Sequence, residues 1–206
     1  LAEMYLAGII ATDGTIDGAL AARSGRIERD GRTWSYLLHA GEPEIRVSQN
    51  DVRAIQLAKA ALYAGARLLM DKLEVARVVL AGAFGSHIDV KYAMILGLIP
   101  DCDLAKVSSA GNAAGTGARI ALLNQKARDE IERVVRQIEK VETAVEPRFQ
   151  AHFVEAMGFP HTTAPYPRLR QAVALPDAKK AQPPEGGEDR AARRRRRARA
   201  QQGAEE

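Results

Sequence analysis

The chain is poor in the residues that most often carry redox and metal chemistry. It has one cysteine, Cys102, in 206 residues. One thiol closes no internal disulfide and supplies neither a Cys-ligated iron–sulfur cluster nor a thiolate zinc site. With no disulfide to maintain, a reducing cytoplasm is the expected compartment. The histidines His39, His87, His152 and His161 show no metal-ligand spacing, so no metal site is expected from them. There is no run of about 18 apolar residues, and no transmembrane helix is expected. The opening stretch LAEMYLAGII lacks the basic start and cleavage site of a signal peptide. No glycine-rich stretch ends in the Gly-Lys-Ser/Thr of a P-loop. No Ser/His/Asp pattern for nucleophilic catalysis can be drawn. Cys102 lies between Asp101 and Asp103, whose charges raise a thiol pKa and make it a poor nucleophile.

What is present is an ordinary globular composition, 46% hydrophobic, with a net charge of +4. The charge is uneven. Arg193 to Arg197 with Arg199 supply six positive charges, so the segment from about Asp177 onward carries most of the basic excess. The globular part is therefore no nucleic-acid platform. The arginine run, without interleaved aromatics, is a generic polyanion tail with nonspecific nucleic-acid binding at most. Leu1, Met4, Tyr5 and Ile9 already stand at helical spacing. The chain is expected to be the C-terminal part of something longer.

The order of elements suggests an α/β domain over residues 1–165 and a disordered Pro/Gly/Arg-rich tail over 166–206. Asp30-Gly31 separates the extended runs GRIER and TWSYLLH, a hairpin signal, and EIRVS reads as a third strand. A long helix follows from Asn50 to Leu73, opened by a cap at Ser48, Asn50 or Asp51. Its apolar stripe is Val52, Ile55, Leu62 and Leu69. Arg53, Gln56, Lys59 and Tyr63 share the remaining face, which is either solvent-exposed or lines a cleft. RVVLAGAF is a strand, and Asp89 caps a short helix closed by Gly97. A short strand is expected near residues 106–108. One continuous helix is expected through NAAGTGARIALLNQKARDEIERVVRQIEKVE, apolar along Ile120, Leu123, Ala127, Ile131, Val134, Ile138 and Val141. ETAVEPRFQAHFVEAMGFPH reads as a strand and a short helix ending before Pro160.

Three stretches could carry chemistry. In LAGAFGS, the strand breaks at Gly82 and Gly85 and offers Ala83, Phe84 and Ser86 at a helix start. That is a place where α/β proteins hold nucleotides, and equally how any strand turns into a helix. GNAAGTGAR, with Asn112, Gly115 and Thr116, opens a helix whose amides attract anions. The same small residues also suit a helix packed tightly on a sheet. Gln56 and Lys59, three apart on one helical face, could bracket an adenine or a ribose, or could be a solvated pair.

In VSQNDVRAIQLAKAALYAGARLLMDKL, VVLAGAFGSHIDVKYAMILGLIPDCDL and GNAAGTGARIALLN the chain resembles the C-terminal part of the reductive activators of corrinoid-dependent enzymes. These are metalloproteins of the actin-like ATPase superfamily, and the resemblance runs over roughly residues 1 to 165. It implies a ribonuclease-H-like lobe, a mixed sheet flanked by helices. It makes LAGAFGS the adenosine motif, places Gln56 and Lys59 against adenine or ribose, and puts Asn112, Gly115 and Thr116 near the sugar or phosphates.

The resemblance further implies ATP with Mg²⁺ as cofactor and return of Co(II) corrinoid to Co(I). The electron would come from an N-terminal 2Fe–2S domain that this chain lacks. The partner would be a corrinoid protein or a corrinoid-dependent methyltransferase, the protein a homodimer, and no membrane is involved. No catalytic residue is assigned, because the groups that position water would lie upstream. Two other readings stay open. One is an activator ATPase of the 2-hydroxyacyl-CoA dehydratase type, against which the missing cysteines argue. The other is a non-catalytic module that dimerises through its long helix and uses the basic tail as a tether.

Overall fold

The computed structural model describes residues 1–82, 85 and 87–176 of the chain. Helix α1 (Ala2–Leu6) stops at Gly8, whose φ of 70° a side chain would strain. The chain then folds back through a tight turn closed by an Ile10–Ile16 bridge, with the Asp13 carboxylate accepting from the Thr15 amide at 2.9 Å. Strands β1 (Ile27–Asp30), β2 (Thr33–His39) and β3 (Ile45–Ser48) form an antiparallel meander. Asp30 pairs with Thr33 across the turn that Asp30-Gly31 announces.

Helix α2 (Gln49–Met70) begins in a capping box. The Ser48 hydroxyl receives the Asp51 amide, and the Asp51 carboxylate receives the Ser48 amide. Its buried face is not the apolar stripe expected from the sequence. Ile55, Leu62 and Leu69 are 37%, 54% and 49% exposed. The inner face runs Gln49, Val52, Gln56, Lys59, Ala60, Tyr63, Ala64 and Leu68. The reason is local. Ala60 and Ala64 allow close approach to α6 (Phe149–Glu155), and the polar members of the face find backbone carbonyls inside.

The second half builds a parallel pair, β4 (Val78–Ala81) beside β5 (Val107–Gly111), joined through α3 (Val90–Ile95). Asp89 caps α3 and Gly97 closes it at φ 70°. A Cβ at Gly97 would collide with the Pro160 carbonyl, so the turn after α3 can lie against the C-terminal loop only as glycine.

The expected single long helix is two: α4 (Ala113–Leu123) and α5 (Gln125–Val135). Asn124 leaves the helical region at φ −136° and its side chain accepts from the Ala127 amide, so one residue ends α4 and caps α5. The strand expected before α6 does not form; 142–148 is turns. The expected tail boundary at residue 166 is corrected as well. Tyr166 and Leu169 are core residues, and α7 (Pro167–Ala172) is held by Asp101, whose carboxylate accepts from the Arg168 and Leu169 amides at 3.0 and 2.9 Å. Residues 177–206, with the arginine run, lie outside the described residues. The core gathers α1, α2, α3, α6 and α7 around Tyr5, Ile10, Met94, Phe159 and Tyr166.

Candidate functional site

Strands β4 and β5 run parallel and end side by side. Each leaves the sheet through a glycine in the left-handed half of backbone space, Gly82 at φ 111° and Gly111 at φ 55°. The Gly82 amide donates to the Gly111 carbonyl at 2.8 Å, which locks the two turns together. An added Cβ at either glycine would meet nothing within 4 Å. Among the described residues nothing packs in front of either turn, and the backbone conformation is what disfavours a side chain there. Gly85 is buried and its amide returns to the Gly82 carbonyl at 3.1 Å. Ala83, Phe84 and Ser86 lie outside the described residues.

Helix α4 starts at the same edge, directly after Gly111. The Asn112 side chain caps it, accepting from the Gly115 amide at 2.9 Å. A Cβ at Gly115 would come within 2.7 Å of the Asn112 amide nitrogen, so the cap needs glycine at that position. Thr116 stands exposed one residue further, and its hydroxyl receives the Arg119 guanidinium at 3.5 Å. Carboxyl ends of neighbouring parallel strands, glycine turns and a helix N-terminus are the features with which α/β proteins commonly hold phosphate-bearing ligands. Gly111, absent from the sequence-derived candidates, joins this edge. Its signal was a glycine standing between a strand and an Asn cap.

Gln56 and Lys59 are elsewhere and are fully enclosed, each with no exposed surface. The Gln56 amide donates to the carbonyls of Asp13 and Met157 at 2.9 and 2.7 Å. The Lys59 amine donates to the carbonyls of Gly158 and Pro160, the latter at 3.0 Å, and lies 5.2 Å from the Phe159 ring centre. Burial pushes the Lys59 pKa down to about 7. The structure therefore corrects the expectation for this pair: both side chains are spent on backbone carbonyls inside the protein and present nothing to a nucleoside. Gln49 and Arg53 join them, Gln49 accepting from the Ile16 amide and donating to the Gly14 carbonyl, Arg53 donating to the Asp13 carbonyl. This polar face of α2 staples the 13–16 turn to the 157–160 loop.

The Cys102 thiol is pushed up first by burial and then by Asp101, with Arg168 opposing. Among the described residues no group of three or more His, Cys, Asp and Glu could hold a metal ion, and no helix is long and apolar enough to cross a membrane.

The mixed α/β architecture is that of a lobe of the ASKHA class. The family model described as the C-terminal domain of RACo, the ASKHA domain, matches residues 1–170, and the chain belongs to that family. A curated relative, the corrinoid activation enzyme RamQ of Eubacterium limosum, is 38% identical over 132 residues, which is 60% of this chain and 22% of the relative. A solved structure of a reductive activator for corrinoid, iron-sulfur protein superposes with a TM-score of 0.69 at 35% identity. That match covers 78% of this chain and 27% of the solved one. The chain thus spans about a quarter of the length of the relatives it matches.

Proposed function

We propose that this chain is the nucleotide-contacting C-terminal lobe of an ATP-dependent activator that restores a corrinoid protein from Co(II) to Co(I). The observation that carries the reading is the paired glycine edge, Gly82 joined to Gly111 beside the start of α4. Gly82 and Gly111 let the nucleoside lie against backbone while buried Gly85 packs on Leu80, and Thr116 faces the phosphates from the first turn of α4. Ala83, Phe84 and Ser86 complete the turn by sequence. Asn112 and Gly115 shape the helix start rather than touch the ligand.

The donor set fits a nucleoside and not a cluster: one thiol cannot ligate 2Fe–2S. The electron would reach the corrinoid from a 2Fe–2S domain carried by another part of the protein, and ATP with Mg²⁺ would drive the conformational change that makes the transfer favourable. What this lobe contributes is a rigid edge that binds and orients the nucleotide. The partner is a corrinoid protein or its methyltransferase. The second surface is the open apolar side of α4 and α5, where Leu122 and Leu123 are 77% and 83% exposed; a second copy of the protein would cover such a face, and sedimentation velocity tests it.

The direct test is equilibrium binding of ATP and ADP to the activator holding this lobe. Gly82→Val should weaken binding at least about tenfold, the loss of roughly one good contact. Unchanged affinity in Gly82→Val and in Gly111→Val would overturn the reading.

A further inference from the structure

We propose that the segment from Met157 to Ala172 is a strap released by proton uptake: it closes on the enclosed Lys59 amine and opens when that amine leaves the interior and takes a full charge. The strap is pinned at several points. Met157 and Gly158 carbonyls are held by Gln56 and Lys59, and the Phe159 amide donates to the Thr12 carbonyl at 2.8 Å. Tyr166 donates to the Ile99 carbonyl at 3.1 Å, and Asp101 caps α7. Tyr166 itself sits at φ 49°, unusual for a side-chain-bearing residue.

The chemistry at Lys59 selects the proton as the release signal. Its two hydrogen-bond acceptors are the backbone carbonyls of Gly158 and Pro160. Two acceptors match the two N–H bonds of a neutral amine. An ammonium has three and, with no carboxylate paired to it among the described residues, has only two carbonyls and the Phe159 ring 5.2 Å away to offset a full charge removed from water. Opening the strap returns Lys59 to solvent and its ordinary value of 10.5, against about 7 when closed. Opening therefore takes up a proton wherever the pH lies between those values, and falling pH favours it.

The other groups around the strap set the window. His161, enclosed and held below its ordinary value by burial and by Lys59, adds proton uptake only below about 6.5. Tyr63 and Tyr166, both raised by burial, and Cys102, raised likewise, act in the opposite sense above about pH 9. The other charged groups facing this region are Arg67 on α2, Glu155 on α6, and Asp101 with Arg168 at the strap's far end.

The test is amide hydrogen exchange of the full chain from pH 7 to 8.5, corrected for intrinsic exchange, read on peptides covering 157–172. In the wild type the opening constant should fall about tenfold per pH unit as the single proton is lost, easing toward pH 7. In Lys59→Met it should be independent of pH over that window. A flat wild-type profile, or an equal slope in Lys59→Met, overturns the proposal. If Lys59→Met does not fold, the wild-type Lys59 amine is titrated by NMR: a midpoint near 7 supports the strap, and one near 10.5 overturns it.

Discussion

Two regions of this molecule have similar apolar content and opposite fates. Helices α1, α2, α3, α6 and α7 close a core in which Val52, Met94, Phe159 and Leu169 have almost no exposed surface. Helices α4 and α5 bury no residue at all, and Ile120, Leu123, Ile131, Val134 and Val135 all stand open. The first region is stitched by side chain to backbone bonds across the whole length of the chain, from Asp13 to Pro160. The second is tied mainly through β4–β5 and carries the glycine edge. Apolar periodicity says that a helix has a partner; it does not say that the partner is in the same stretch of chain. The closed region packs against itself, and the open one leaves its apolar side uncovered.

The sharpest way to break this comparison is to remove one large side chain from each region. Phe159→Ala should destabilise the fold by about 3–5 kcal/mol, the usual loss for a buried phenyl ring. Leu123→Ala should stay within about 0.5 kcal/mol, as exposed positions do. Urea unfolding of both variants checks it, and equal losses would erase the distinction. Next in size is Gln56→Ala. It leaves the Met157 carbonyl without its side-chain partner and the Asp13 carbonyl with Arg53 alone, and should cost about 1–3 kcal/mol, while ATP affinity stays within about twofold. Thr116→Val reverses the pattern: stability is retained, and affinity falls about tenfold if one hydrogen bond to the nucleotide is lost. Paired measurements of the two variants separate staple from site.

The open region makes its own prediction. Ile131→Lys should lower self-association in sedimentation velocity and leave the unfolding midpoint nearly unchanged, because Ile131 is 44% exposed already. The smallest effect concerns Asp71, whose carboxylate is held below the usual range by His152, Arg67 and Arg148, in that order among its favourable partners. Its folded pKa is depressed, so its contribution is present above the unfolded value near 4 and fades as pH falls through the folded one. Asp71→Asn should lose a small amount of stability at neutral pH and flatten the acid limb of the stability profile.

Much of the local structure was legible in advance. The Asp30-Gly31 hairpin, the Ser48–Asp51 cap, the Asp89 cap and the Gly97 stop all work over a few residues, and short-range chemistry is written in short stretches of sequence. Three further readings differ from the structure, the first for a local reason and the other two because the partners lie far off in the chain. Asn124 was passed over because its neighbours keep a helical apolar period, while its side chain prefers to cap. The face of α2 was inverted because Gln56 and Lys59 look like surface residues until carbonyls from 99 and 101 residues away arrive beside them. Tyr166 and Leu169 read as tail residues because their partners, Ile99 and Asp101, are 67 and 68 residues back.

By itself the sequence determined the α/β class, the glycine turns and the family to which the lobe belongs, because turns, caps and motifs depend on residues close together in the chain. Only the tertiary structure decided which faces are inside, which polar groups are spent on backbone carbonyls, and that Tyr166 and Leu169 belong to the core. Those depend on which carbonyl or carboxylate meets a side chain across the core, and no local period encodes that meeting.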